Sequence, residues 1–312
     1  MERIFCSVLA LTLAACSPAP VREAGLRLPT IVSLNPCTDA ILAEVADPAQ
    51  LLAVSSYSHD PASSSMDLAA ARRFPATSGS VEELLTLRPD LVVGATFVSP
   101  ATVSALDRLG LRLERFGIAR TVDESKAQVR ALAALAGHPE RGEALVARID
   151  AALAQAAPPP GLPISALVWQ AGGIVPGPNT LIAELLARTG FTNAAAARGL
   201  GQADLLPLEQ VLADPPQLIL AAGSALGNED RMLAHPALAA LTSTRRERLD
   251  PVLLWCGGPS IVRTVERLSA VRRSFGFAAT TPNPSSKEEG GFDSAPSPLQ
   301  RRGLGGGGVR KP

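Results

Sequence analysis

The chain has 312 residues, of which 46% are hydrophobic and 19% charged, with 29 basic and 29 acidic side chains. That length accommodates two domains of ordinary size, and the cancelled charge removes the electrostatic case for a nucleic-acid partner or an acidic substrate surface. Aromatic residues make up only 4%, with two Trp and one Tyr, so the positions of those few rings carry information.

The chain opens with Arg3, an apolar stretch from Ile4 to Leu13, and then Leu13-Ala14-Ala15-Cys16. This pattern reads as a secretion signal over residues 1–16. Its end resembles the bacterial lipobox, in which the chain is cut ahead of a cysteine that carries a diacylglycerol. Cys16 is the lipidation site on that reading; the alternative is an ordinary signal peptide that happens to contain a cysteine. Ser17-Pro18-Ala19-Pro20 then starts a polar linker over residues 17–28. A single lipid anchor would tether a protein that otherwise folds in water, since no later apolar run is long enough to span a bilayer.

From residue 29 to 120, short apolar runs alternate with helical patterns. Ile31-Val32-Ser33-Leu34, Leu51 to Val54, Leu91 to Ala95 and Leu111 to Phe116 read as strands, and Val81 to Leu87 and Ala101 to Leu109 as helices. Such alternation predicts an α/β lobe with a mostly parallel sheet. Ser80-Val81-Glu82-Glu83 and Thr121-Val122-Asp123-Glu124 have the spacing of capping boxes. Residues 121–160 are almost wholly helix-forming and rich in Ala and Leu, interrupted at Gly137-His138-Pro139, with Pro139 suited to start a second helix over about 140–156. Pro158-Pro159-Pro160-Gly161 ends that region. A second α/β lobe over 161–278 follows, with strands at Ile164 to Trp169, Leu218 to Ala222 and Leu249 to Leu254. Its helices are placed at Thr180 to Thr189, Leu208 to Leu212 and Ile261 to Phe275. Residues 279–312 lose all apolar periodicity, are rich in Pro, Ser and Gly, and are expected to be disordered.

The two lobes echo each other. Val81 to Val93 aligns without gaps on Leu208 to Leu220 at a constant offset of 127 (209 − 82). Each copy is a short helix, a Pro-containing turn and a buried strand, which a pair of unrelated αβ units would also provide.

At these residues the chain resembles the periplasmic binding proteins for cobalamin and ferric siderophores. The resemblance covers about Leu28 to Phe275. It rests on Ile31-Val32-Ser33-Leu34-Asn35-Pro36, Ser55-Ser56-Tyr57-Ser58, Glu82-Glu83-Leu84-Leu85 through Arg88-Pro89-Asp90-Leu91-Val92, and His235-Pro236-Ala237-Leu238. It implies two Rossmann-like lobes joined by a rigid long helix, with ligand held in the cleft between them. It also implies a partner: the dimeric permease of an ABC importer with its ATPase subunits, onto which Glu82 and Glu209 dock, one from each lobe. A carboxylate in a helix's first turn is favoured by the helix dipole and open to a partner, although it also serves its own helix. The captured ligand on this resemblance is a metal chelate that brings its own cobalt or iron, a corrinoid ahead of a ferric siderophore, with heme as an alternative. No separate cofactor or protein-bound metal is implied.

Ligands of open α/β sheets sit beyond the carboxyl ends of the strands. Tyr57, Phe97, Trp169 and Trp255 all fall there, and flat rings suit a macrocycle or a catecholate; core packing is the competing reading for each. Gly172-Gly173 and Gly257-Gly258-Pro259 flank the two Trp, so Gly258 is a candidate for close backbone approach to a ligand. Cys37 and Cys256 lie just beyond strands, one per lobe. They form either a disulfide tying the lobes together or free thiols facing a ligand or metal. His138 and His235 are placed in a helix junction and a turn, and His59, near Tyr57, is either a solvated loop residue or a contact to a ligand's metal. Tyr57 is a candidate ligand to heme iron. A chelatase-like enzyme is the rival of another class, but there is no phosphate-binding glycine loop, Ser-His-Asp set, HExxH or CxxC spacing. No catalytic residue is assigned. With three His, a zinc or manganese carrier, which needs three or four converging ligands, competes poorly.

Overall fold

Eleven strands and eleven α-helices follow one another in the computed structural model, which describes residues 27–158, 160–223 and 235–278. Cys16, most of the linker and the tail from 279 onward lie outside the described residues. Among those described, no helix is long and apolar enough to cross a membrane.

The first lobe runs β1 (Ile31–Ser33), α1 (Pro36–Val45), β2 (Leu51–Ser55), α2 (Leu68–Ala71), β3 (Ala76–Thr77), α3 (Val81–Leu87), β4 (Leu91–Ala95), α4 (Pro100–Arg108) and β5 (Leu113–Phe116). Its five strands are all parallel in the order β3-β2-β1-β4-β5, the doubly wound arrangement of a nucleotide-binding half. Two helices follow, α5 (Val122–Ala136) and α6 (Pro139–Gln155). The second lobe continues with β6 (Ile164–Gln170), β7 (Ile174–Val175), α7 (Leu181–Arg188), β8 (Phe191–Asn193), α8 (Ala194–Ala197), β9 (Asp204–Leu205), α9 (Leu208–Ala213) and β10 (Leu218–Ala222). It ends with α10 (Pro236–Ala239), β11 (Arg245–Arg248) and α11 (Ser260–Ala278). Its main sheet is again all parallel, in the order β11-β10-β6-β8, while β7 and β9 form a small antiparallel pair.

Side-chain alternation along the strands divides the core. Ile31, Leu91 and Val93 on the first sheet, and Ala166, Val168, Leu218 and Leu220 on the second, share one hydrophobic cluster with α1, α5, α6, α7 and α11. The opposite faces carry separate clusters: Val32 and Val92 pack on Leu84 of α3 and Leu106 of α4, whereas Leu167, Trp169 and Ile219 pack on Val211 of α9 and Leu238 of α10.

The lobes are linked through two helices, α5 and α6, divided at Gly137-His138-Pro139 where the sequence pattern breaks. Gly137 closes α5 in the left-handed region (φ 82°) and Pro139 opens α6, as a C-terminal glycine and an N1 proline each prefer. The helices cross closely at Gly142, where an added Cβ would lie 2.6 Å from the Cβ of Ala133. Two features differ from the sequence pattern. The strand expected at Leu249 to Leu254 is instead β11 at Arg245–Arg248, followed by a 3-10 turn at Pro251–Leu254. Pro251 lacks the ladder donor, and the Asp250 side chain accepts from the Val252 N–H to start the turn. Helix α1 was not signalled by the hydrophobic pattern; Asn35, which accepts from the Cys37 N–H, and Pro36 begin it. The repeat holds at the level of elements: α3 and α9 start at residues 81 and 208, and β4 and β10 run 91–95 and 218–222, all at the offset seen in the sequence.

Gly142→Val forces α5 away from α6 and is expected to lower unfolding stability by about 1–3 kcal/mol, read by urea denaturation.

Candidate ligand-binding cleft

In doubly wound sheets the crevice opens where the strand order reverses. In the first lobe that point lies between β1 and β4, and in the second between β6 and β10. A cleft of about 780 Å³ lies beyond these strand ends. Leu34 to Thr38 follow β1, Tyr57 follows β2, Phe97 follows β4, and Phe116 to Arg120 follow β5. The second lobe contributes Gln170 at the end of β6, Thr180 to Ile182 at the start of α7, Gln202 and Ala203 before β9, and Leu254 to Gly257.

Three of the four rings expected in the cleft line it. Tyr57 is 62% exposed, Phe97 71% and Trp255 49%, and Ile118 stands beside them at 62%. Apolar groups this exposed signal an interaction surface. Trp169 does not reach it: its relative exposure is 0% and it belongs to the outer cluster of the second sheet. Strand parity is the reason, because Trp169 shares a face with Leu167 while Gln170, one residue on, turns to the cleft. Gly258 likewise lies behind the cleft lining. Its φ is +63° and an added Cβ would meet Ile41 Cγ1 at 2.7 Å, so it is needed for lobe packing.

Cys37 and Cys256 are joined by a disulfide at the floor of this cleft. The bond is the centre of a seam where residues 255–263 of the second lobe pack into the first. The Ser65 hydroxyl donates to Cys256 Sγ at 2.7 Å, and the Gly258 N–H donates to Ser125 Oγ at 2.7 Å. The Arg263 guanidinium donates to the Ser65 carbonyl. Across the other side of the junction, Glu184 of α7 accepts from the Val122 N–H at 2.8 Å, capping α5.

Polar groups in the cleft are mostly neutral. Among the described residues, the lining holds the amides of Asn35, Gln128, Gln170 and Gln202, and one charged side chain, Arg120, which lies 3.9 Å from Glu124. Gln128 donates to the Gly117 carbonyl at 2.7 Å and steadies the loop that carries Ile118. The sequence reading missed Ile118, Arg120 and Gln128; applying the strand-exit rule to β5 reaches the first two.

His59 turns away from the cleft, its Nε2 lying 3.2 Å from the Ala71 carbonyl and 3.1 Å from that of Phe74. His138 contacts Gln50 at 3.0 Å, and His235 accepts from the Ala237 N–H as the N-cap of α10. Among the described residues no three His, Cys, Asp or Glu side chains come together as a metal site.

Glu82 and Glu209 are exposed in the first turns of α3 and α9, and neither side chain has a hydrogen bond or ion pair among the described residues. The neighbouring Glu83 is committed elsewhere: its carboxylate accepts from Thr77 Oγ1 at 2.5 Å and from the Ser78 N–H at 2.8 Å. These bonds, that of Thr77 first, hold its carboxyl below the usual range.

Asp39 is fully buried beneath the cleft. One carboxylate oxygen accepts from the Ser55 N–H at 2.9 Å and the Ser58 hydroxyl at 2.7 Å; the other has no partner. Burial raises its pKa to about 7 against the bonds from Ser58 and Ser55.

A two-lobed α/β architecture with its cleft at the carboxyl ends of both sheets is that of the solute-binding proteins. The chain belongs to the periplasmic binding protein family, whose model matches residues 31–249. Among solved structures it is similar to the periplasmic heme-binding protein RhuT from Roseiflexus sp. RS-1, at 24% identity and a TM-score of 0.62, covering 80% of this chain and 99% of that one. The periplasmic heme-binding protein HutB of Vibrio cholerae matches at 19% identity and a TM-score of 0.63, covering 78% and 98%. The periplasmic vitamin B12-binding protein BtuF of Vibrio cholerae matches at 22% and 0.60, covering 81% and 98%. At such identities the likeness is one of fold. No curated protein matches in sequence.

A carboxyl whose folded pKa is raised contributes stability below its unfolded pKa of 3.8 and loses it as pH rises through about 7. The stability of the wild type relative to Asp39→Asn is therefore expected to fall between pH 4 and 7 and then level off, as measured by denaturation across pH.

Proposed function

We propose that this protein is the lipid-anchored periplasmic substrate-binding component of an ABC importer, capturing a metal chelate, a corrinoid first, and handing it to the permease. It acts as a binding protein and not as an enzyme. The observation that carries this reading is the cleft, in which Tyr57, Phe97 and Trp255 stand exposed from both lobes around a neutral, amide-rich lining. Aromatic faces supply large contact area at low entropic cost to a flat macrocycle. A corrin ring carries uncharged amides around its rim, which Asn35, Gln128, Gln170 and Gln202 match as donors and acceptors. Ferric catecholates carry several negative charges, and Arg120, the one cation of the lining among the described residues, is a poor match for them.

One observation favours a second reading, heme. The phenol of Tyr57 is exposed on the cleft wall, a phenol oxygen is a suitable ligand for ferric iron, and two of the structural relatives named above are heme-binding proteins. Against it, heme brings two carboxylates to a cleft whose lining has one cationic side chain among the described residues.

Docking uses Glu82 and Glu209. Their equivalent places in the two lobes, and the lack of any intramolecular partner among the described residues, suit a two-fold symmetric receptor. Cys16 supplies the membrane attachment; the permease and its ATPase subunits are the protein partners.

Isothermal titration with cobalamin is expected to give saturable one-to-one binding, and Trp255→Ala is expected to weaken it by about tenfold or more. Absence of cobalamin binding together with a heme complex whose absorption spectrum changes in Tyr57→Phe would establish the second reading instead. In cells, Glu82→Ala with Glu209→Ala is expected to abolish uptake while titrations remain unchanged; undiminished uptake would remove the docking assignment.

A further inference from the structure

The first turn of α1 touches both walls of the cleft through two consecutive devices. Cys37 is bonded to Cys256, the residue after Trp255. Asp39, two positions on, receives the Ser55 N–H and the Ser58 hydroxyl. Those two serines bracket Tyr57, and Ser55 Oγ also accepts from the Tyr57 N–H at 3.2 Å. The turn itself is held down: Asn35 caps it, and Thr38 Oγ1 lies 3.0 Å from the Asn35 carbonyl and 2.8 Å from Ser33 Oγ at the end of β1.

We infer that Asp39 and the Cys37–Cys256 disulfide are positioning elements for the cleft rings: Asp39 fixes Tyr57, the disulfide fixes Trp255, and the first turn of α1 sets the spacing between them. This rests on the reading of the cleft as the ligand site. Packing alone does not fix either ring, since Tyr57 is 62% and Trp255 49% exposed. Each is placed instead by the backbone next to it, and in both cases that backbone is fastened to the same turn. On the Trp255 side the fastening continues past the disulfide, because Ser260 Oγ donates to the Cys256 and Gly257 carbonyls at 2.5 and 2.9 Å and the Gly258 N–H is bound by Ser125. On the Tyr57 side, Asp39 is the one fully buried acidic side chain among the described residues, and a buried carboxyl with an oxygen lacking any partner is a costly group to retain for packing alone. Rings held at a set separation bind a rigid flat ligand without an ordering cost at the moment of capture.

The test is a pair of double-mutant cycles on cobalamin affinity. Asp39→Ala is expected to weaken binding about tenfold, with most of the loss restored in Asp39→Asn, which keeps the acceptor. Adding Tyr57→Ala to Asp39→Ala is expected to cost little more, whereas adding Phe97→Ala costs its full single-variant amount. Cys37→Ser with Cys256→Ser is expected to be non-additive with Trp255→Ala in the same way. Additive losses at Tyr57 and Trp255 would overturn the inference. A ligand-free measurement separates this outcome from failure of the functional reading. Trp169 is fully buried, so acrylamide quenching reports Trp255, which is expected to become more accessible when the wild-type disulfide is reduced. Hydrogen exchange at the Ser55 amide is expected to accelerate in Asp39→Ala. Unchanged quenching and exchange would overturn the inference even if no chelate bound, and failure of cobalamin and heme to bind with both signals altered would overturn only the choice of ligand.

Discussion

Ile31 and Leu91 of one sheet and Leu218 and Leu220 of the other belong to the same hydrophobic cluster, reached through Leu132 of α5, Ile149 of α6 and Val265 of α11. This shared core is the constraint from which the rest follows. Each sheet buries one face on helices of its own and gives the other to the common layer, so neither lobe can turn far against its partner without exposing part of that layer to water. At roughly 25 cal/mol per Å² of apolar surface, even a modest opening is unfavourable. The interlobe space is consequently a cleft of nearly fixed width, and capture depends on what its walls present more than on a large closure.

Those walls are built from strand ends, and the chemistry they present is mostly neutral among the described residues. Exposed rings and four amides face a space with one described cation, Arg120. The ionic groups lie elsewhere and serve the scaffold: Arg148 pairs with Glu44 across α6 and α1, and Arg130 pairs with Glu143 across the hairpin. Exposed pairs of this kind add little stability each, but they hold charge at the outside of the junction, away from the ligand space.

Much of the scaffold was legible in the sequence because its signals are local. The helix at residues 81–87 and the strands at 91–95 and 218–222 fall where capping and apolar runs placed them, and the repeat between residues 81–93 and 208–220 reappears as matching elements. The losses came where the deciding contact is distant or the pattern short. Helix α1 carries buried Asp39 and Thr38 on its inner face, so its apolar stripe is broken and the periodicity weak. At residues 249–254 apolar composition pointed to a strand, but Pro251 and the Asp250 cap turned it into 3-10 backbone. Trp169 was assigned to the cleft from its place near a strand end, when the parity of Leu167, Trp169 and Gln170 decides which side chain faces it. For Cys37 and Cys256 the sequence left a disulfide and free thiols as alternatives, because choosing between them requires knowing that α1 and the turn after Leu254 meet.

The disulfide also has a bearing on how the molecule is assembled. Among the described residues the chain passes between the sheets once, through α5 and α6, and the bond between Cys37 and Cys256 closes a loop across 219 positions of sequence. In a chain made from its N-terminus, Cys37 is available well before Cys256. The first sheet can be complete by then, but its thiol has no native partner until the second lobe has been made, so the bond can close only after the two lobes have met.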